Sequence, residues 1–499
     1  MELKKCLLGL AVIGGLSACQ SSLQTDYLVV AGPGVQNDAE WNKVVQTLVD
    51  RHQAQVVTYD STLSALLPQF KKFHPRYVAL VEKPEQVGKK YVMELNQISR
   101  QVDNDIYADF LWGIITGYDA AAAQRMVDHA AQPLVVKNAV STITELESAR
   151  WFDRYAWIDD HRQGVWGTKE SKNDTVAYHQ LPLSPMKLPD GQVIQRANSQ
   201  EVMQRFMDNY TQYDPDLIVT AAHATERNLE MPFSLGNVKP KDGKLYMDFS
   251  DGPQFLPQTG KRKIYLPIGN CLIGNVNNTK ESMAIAWMND ANATTFVGYV
   301  VPTWYGRNGW GGLKYWLTTP GRYTSAEAFY LNQQDMMYQL NNWSKDMTTL
   351  KFPYDAPDYM AAAQNLVTET LHSDCNIHHL GFLYDRDVLA YYGDPKWNVR
   401  LQEIEEENDF TVSSEIKGKQ CIVTIVTKPN FSMERMEGNH FKEEHVLELP
   451  FSYFFPTRLN NPRLAEGQSW KVALDENFLL VYRPDFKAGQ TYQVVLDVD

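Results

Sequence analysis

Apolar residues in the first 300 positions alternate between two patterns. Unbroken runs at Tyr27 to Ala31, Val56 to Tyr59, Tyr77 to Val81, Trp112 to Thr116, Leu217 to Thr220, Ile264 to Ile268 and Thr295 to Val301 predict buried strands. Trp41, Val44, Val45, Leu48 and Val49 recur at helical spacing between the first two runs, and Leu63, Leu66, Leu67 and Phe70 between the next two. A further helix is predicted over Glu281 to Asn289. Strands alternating with amphipathic helices predict an α/β domain built on a mostly parallel sheet. Ala149 to Met186 shows no clean period and reads as a surface excursion.

The texture changes near Leu401. After the polar run Glu403 to Asp409 come only short strand-like segments: Cys421 to Val426, Val446 to Phe455, Trp470 to Leu474, Phe478 to Tyr482 and Tyr492 to Val498. With Pro and Gly between them and no convincing helix, they predict a β-sandwich. The expected organisation is a leader over 1–18, a tether over 19–25, an α/β domain over 26–400 and a β-sandwich over 401–499.

A length of 499 residues calls for more than one core, and 44% apolar content is ample to bury them. The net charge of -13 argues against a nucleic-acid partner, because neutralising phosphates needs a basic surface. At the N-terminus, Lys4-Lys5, the apolar stretch Leu7 to Gly15 and Leu16-Ser17-Ala18-Cys19 resemble a bacterial lipoprotein signal. That resemblance implies cleavage before Cys19, lipidation of its thiol and attachment to the membrane through lipid. With Gln20 following the cysteine, it implies the outer membrane of a bacterial envelope. The apolar stretch is too short to span a bilayer. Setting Cys6 and Cys19 aside leaves Cys271, Cys375 and Cys421, of which at least one stays unpaired within the chain.

Two of the predicted strands end on reactive groups. Leu217 to Ala222 runs into His223, and Ile264 to Asn270 runs into Cys271, 48 residues later. Strand ends of an α/β sheet project side chains into the crevice where ligands bind. A thiol there with an imidazole on a neighbouring strand end would suit nucleophilic catalysis. Asp109 is a candidate to orient His223. Other signals carry simpler readings. His372, Cys375, His378 and His379 have zinc-like spacings, but adjacent His378 and His379 rarely reach one ion, so no metal or cofactor is expected. Gly32-Pro33-Gly34 reads as a tight turn, since Pro removes an N–H that a phosphate loop needs. Trp304, Tyr305 and Trp310 suit either loop packing or a wall for peptide or sugar.

The two strand-end patterns, with Asp105 to Gly113 and Tyr391-Tyr392-Gly393-Asp394-Pro395, occur in an order that resembles the caspase and gingipain clan of cysteine peptidases, the gingipain family more closely. The resemblance implies a caspase-like three-layer α/β sandwich closed by Gly393-Asp394-Pro395, then an immunoglobulin-like domain. It implies a lipid-anchored endopeptidase acting on peptide or protein substrates, with Cys271 as nucleophile and His223 as general acid. The backbone N–H groups of Cys271 and Ala224 would hold the oxyanion. The family carries Gly after its His and a small residue before its Cys, where this chain has Ala224 and Asn270. Those departures leave a catalytically inactive binding or assembly protein as the alternative.

Overall fold

Twelve strands share one sheet in the computed structural model, which describes residues 25–406, 408–439 and 446–499. The leader and Cys19 lie outside the described residues. The strands are β1 (Tyr27–Ala31), β2 (Gln55–Thr58), β3 (Tyr77–Val81), β4 (Leu111–Ile115), β5 (Asn138–Ser141) and β6 (Arg154–Ile158), then β7 (Val165–Lys169), β8 (Ala177–Gln180), β9 (Leu217–Val219), β10 (Lys263–Leu266), β11 (Ala293–Tyr299) and β12 (Leu389–Tyr392). Their order across the sheet is β2, β1, β3, β4, β12, β11, β10, β9, β5, β6, β7, β8.

Pairing is parallel from β2 to β12 and again from β11 to β6. It is antiparallel between β12 and β11 and along β6, β7 and β8. The sheet therefore has two halves of opposite direction. The carboxyl ends of β9, β10 and β11 share an edge with the amino ends of β12 and β4.

Every residue of β1, β3 and β11 is buried, which requires cover on both faces and explains their unbroken apolar runs. The helix Ala39–His52 buries Trp41, Val44, Val45 and Leu48, four of the five residues of its predicted stripe, with Val49 half-buried, and starts where the Asp38 carboxylate accepts the Trp41 N–H. Among the described residues no helix is long and apolar enough to cross a membrane.

The segment read as a surface excursion instead supplies β6, β7 and β8. In β6 four of five residues are buried, so there was no alternation to detect. The Trp157 ring lies over Gly167 of β7, where an added Cβ would fall 1.5 Å from it. At the end of β12 the chain reverses through Gly393, at φ 123°, a conformation that favours glycine. Its carbonyl crosses so close above Gly113 that a Cβ there would sit 2.0 Å away.

Beyond Val399–Leu401, which pairs with Leu134–Val136, the chain forms two antiparallel sheets. One joins Phe410–Lys417, Gln420–Thr427, Thr491–Asp497 and Arg463–Leu464, and the other Phe451–Phe454, Phe478–Val481 and Val472–Asp475. Leu479 and Val481 pack with Cys421, Val423, Val494 and Leu496 inside this unit. Phe478 and Leu480, pointing the other way, join the core of the α/β domain. The smaller sheet is thus buried on both faces and welds the two units together. The predicted run Val446 to Phe455 is a strand only at Phe451–Phe454, and a short helix, Met433–Met436, stands where none was expected.

Candidate active site

Strands β9 and β10 are adjacent and parallel, with Leu217 opposite Ile264 and Val219 opposite Leu266. His223 follows the first by four residues and Cys271 the second by five, so both leave the sheet at the same edge. The connection is specific. Asn270 is fully buried; its Oδ1 accepts the Thr220 hydroxyl at 2.6 Å and its Nδ2 donates to the Ala222 carbonyl at 2.7 Å. The Asn270 carbonyl in turn accepts the Thr303 hydroxyl at 3.1 Å. One residue therefore ties together the segments that leave β9, β10 and β11, next in the chain to Cys271 and close to His223 through Ala222.

Sγ of Cys271 is half-buried and accepts the Thr303 N–H at 3.2 Å. The residue after it, Leu272, has φ 58°, a left-handed conformation that a branched side chain rarely adopts. Its N–H donates to the Val301 carbonyl at 3.0 Å, so the β11 segment holds that turn in place. Such local strain persists only where the surroundings over-determine it. His223 is exposed, and its carbonyl accepts the Glu230 N–H at 2.9 Å. Ala224 opens a short hairpin opposite Leu229 and is not at positive φ, so alanine is unstrained in the place where the family carries glycine.

Asp109 does not belong to this group. It precedes β4, four strands from β9 and roughly 19 Å away at the usual strand spacing. It is 4% exposed, and its carboxylate accepts the Val102 N–H at 3.2 Å. Burial first, then the carboxylates of Asp103, Asp475 and Asp105, push its pKa up to about 9. The orienting role expected from sequence is corrected on that ground. Asp109 sits instead where the two units of the chain meet, its carbonyl accepting from Asn477 Nδ2 at 3.2 Å.

Among the described residues, Cys271, Cys375 and Cys421 are all free of disulfides. Burial pushes the Cys375 and Cys421 thiols up. His379 caps its own helix, Nδ1 accepting the Asn376 N–H at 3.3 Å, and His378 Nδ1 meets Arg307 at 2.6 Å. Among the described residues, the one set of three such groups whose ligand atoms converge is Asp103, Asp105 and Asp475, away from that segment. Of the three aromatic residues noted in sequence, Tyr305 and Trp310 are buried, while Trp304 is 49% exposed and stacks near Tyr384 with ring centroids 6.3 Å apart.

Sequence reasoning missed Thr303, Thr220 and Leu272, which carry no signal of their own. Asn270 did carry one, a polar residue closing an apolar run.

The sequence matches no protein-family model and no curated protein. Among solved structures, the chain is similar to the complex of Porphyromonas gingivalis RgpB pro- and mature domains at 9% identity and a TM-score of 0.44, covering 95% of this chain and 93% of that one. It is also similar to the Arg-specific cysteine proteinase gingipain R, at 9% identity and 0.42, covering 96% and 92%. A structure described as a protease follows at 10% identity and 0.38, covering 95% and 94%.

Proposed function

We propose that this chain is a cysteine endopeptidase, with Cys271 as nucleophile and His223 as general acid and base. The observation that carries the reading is the tie through Asn270. It ties the backbone that leads to His223 to the backbone that leads to Cys271, beyond the ends of two neighbouring parallel strands, with Cys271 half-buried and His223 exposed.

In the proposed cycle the Cys271 thiolate attacks the peptide carbonyl carbon, forming a C–S bond and a tetrahedral oxyanion. The N–H groups of Cys271 and Ala224 receive that charge. Collapse of the intermediate breaks the C–N bond as the His223 imidazolium gives its proton to the departing amine. Water then attacks the thioester while His223 takes a proton from it; the C–S bond breaks, releasing the acid and restoring the thiolate and the imidazolium. The proposal extends to the anchor: acylation of Cys19 would hold the protein at the outer membrane, and the C-terminal unit would be immunoglobulin-like.

The test is cleavage of a mixed peptide library by wild type and by Cys271→Ala. Loss of about 10³-fold or more in kcat/KM is expected. Iodoacetamide should modify Cys271 well before Cys375 or Cys421; equally slow labelling of all three would remove Cys271 from the role. For the anchor, labelling with tritiated palmitate should disappear in Cys19→Ala and the protein should leave the membrane fraction.

A further inference from the structure

A cleft of ≈ 670 Å³ is lined by Leu272, the residue after the candidate nucleophile, and the charge of its lining is opposite to that of the whole molecule. Gln86, Asn275, Asn277 and Asn278 give the lining amide groups, and its floor is apolar: Leu272, next in the chain to Cys271, with Val301 and Pro302. These are the residues that bracket the sulfur's contacts, since Leu272 donates to the Val301 carbonyl and Thr303, after Pro302, donates to Sγ.

One wall is built of Tyr354, Tyr359 and Tyr384. Two of the three hydroxyls are already engaged, Tyr384 donating to the Pro302 carbonyl and Tyr354 to the Tyr384 carbonyl, so those residues offer ring surface rather than polar tips. Burial first, then the charge of Asp385, pushes the Tyr384 phenol up.

The rim is cationic. Among the described residues lining the cleft, the charged ones are Lys89 and Lys90, and no carboxylate lines it. Lys89 Nζ lies 5.9 Å from the Tyr354 ring centroid, held over the cleft wall. Lys90 is exposed. In a protein of net charge -13, a cleft whose charged lining is two ammonium groups attracts anions locally against a repelling background.

We infer that the peptide substrate lies along this cleft from the scissile bond at Cys271, with an acidic side chain seated at Lys89 and Lys90 and apolar or aromatic neighbours on the floor. The inference rests on the peptidase reading for its occupant and deepens it by naming the substrate class. A flanking Lys or Arg would bring a cation to a cationic rim and find no carboxylate to pair with.

Binding separates the two ideas. Fluorescein-labelled decapeptides differing only by Glu, Gln or Lys at one flanking position would be titrated against full-length Cys271→Ala protein by anisotropy. The Glu peptides should bind about 5- to 10-fold more tightly than the Lys peptides at the best position, the scale of two exposed ion pairs. Raising the salt to about 0.5 M should erase most of the difference.

The double variant K89E/K90E, made in the Cys271→Ala background, should invert the order, and K89Q/K90Q should level it. Both lysines open the helix Lys89–Ile98, where acidic or neutral residues are tolerated, so these variants fold. A Glu-to-Lys ratio unchanged by charge reversal overturns the inference, as does equal affinity, including none detectable, for all three peptides. The predicted order in binding, with no cleavage by wild type, keeps the acidic-peptide cleft and removes the peptidase reading.

Discussion

Asn270 does more at the candidate site than its neighbours' chemistry suggests. Its amide satisfies a hydroxyl on the β9 side and a carbonyl one residue before His223, in a place closed to water. Asn270→Ala takes the donor from the half-buried Ala222 carbonyl and leaves the Thr220 hydroxyl only its contact with the Tyr265 hydroxyl at 2.9 Å, at a cost of about 1 to 3 kcal/mol. The expected result is a lowered midpoint in urea together with a large fall in kcat and a smaller change in KM. Asn270→Asp keeps the acceptor for Thr220 but sets a carboxylate against the Ala222 carbonyl, so it should rescue stability poorly. In sequence Asn270 was a departure from a family pattern. Nothing in the linear chain says that Thr220, Ala222 and Thr303 surround it.

At the level of elements, the turn after β12 is the most heavily engaged. The buried Asp394 carboxylate accepts the Tyr27 hydroxyl at 2.8 Å, His52 Nε2 at 2.8 Å and the Lys396 N–H at 2.9 Å. Burial by itself would raise its pKa. The hydrogen bond and charge of His52, with the Lys396 N–H and Tyr27, outweigh burial and hold the carboxyl below its ordinary value. A depressed carboxylate contributes stability that is present above the unfolded pKa near 4 and is lost as pH falls through the lower folded value. Asp394→Asn should therefore destabilise by about 1.5 to 3 kcal/mol at pH 7. Its deficit against wild type should shrink below about pH 4 in acid-unfolding curves. Strands β1, β3 and β11 were legible because complete burial leaves continuous apolar runs. Strand β5 was missed, and β6 to β8 were mistaken for an excursion, because short strands next to polar turns carry no measurable period.

Across the whole molecule, the C-terminal sheets are fastened to the α/β domain by alternate residues of one strand and by polar contacts. The Tyr323 hydroxyl donates to the Ser452 carbonyl, and the Tyr482 hydroxyl to Asp335 Oδ1, both at 2.7 Å. Asp109 and Asp475 lie at that junction, both raised by burial and then by neighbouring carboxylates. A raised carboxylate contributes stability below the unfolded pKa near 4, and that contribution is lost as pH rises toward about 9 for Asp109. Asp109→Asn, which keeps an acceptor for the Val102 N–H, should gain on wild type in melting temperature steadily between pH 5 and pH 9. A constant offset would mean that Asp109 does not titrate across that range. By itself, the chain determined the α/β class, the change of texture near Leu401 and the two strand ends bearing His223 and Cys271, because each is written in local periodicity. Tertiary structure alone decided the reversal of direction at β12, the removal of Asp109 from the site, the role of Asn270 and the cationic cleft. Those depend on which distant segments become neighbours, and hydrogen bonding and burial set that only once the sheet has closed.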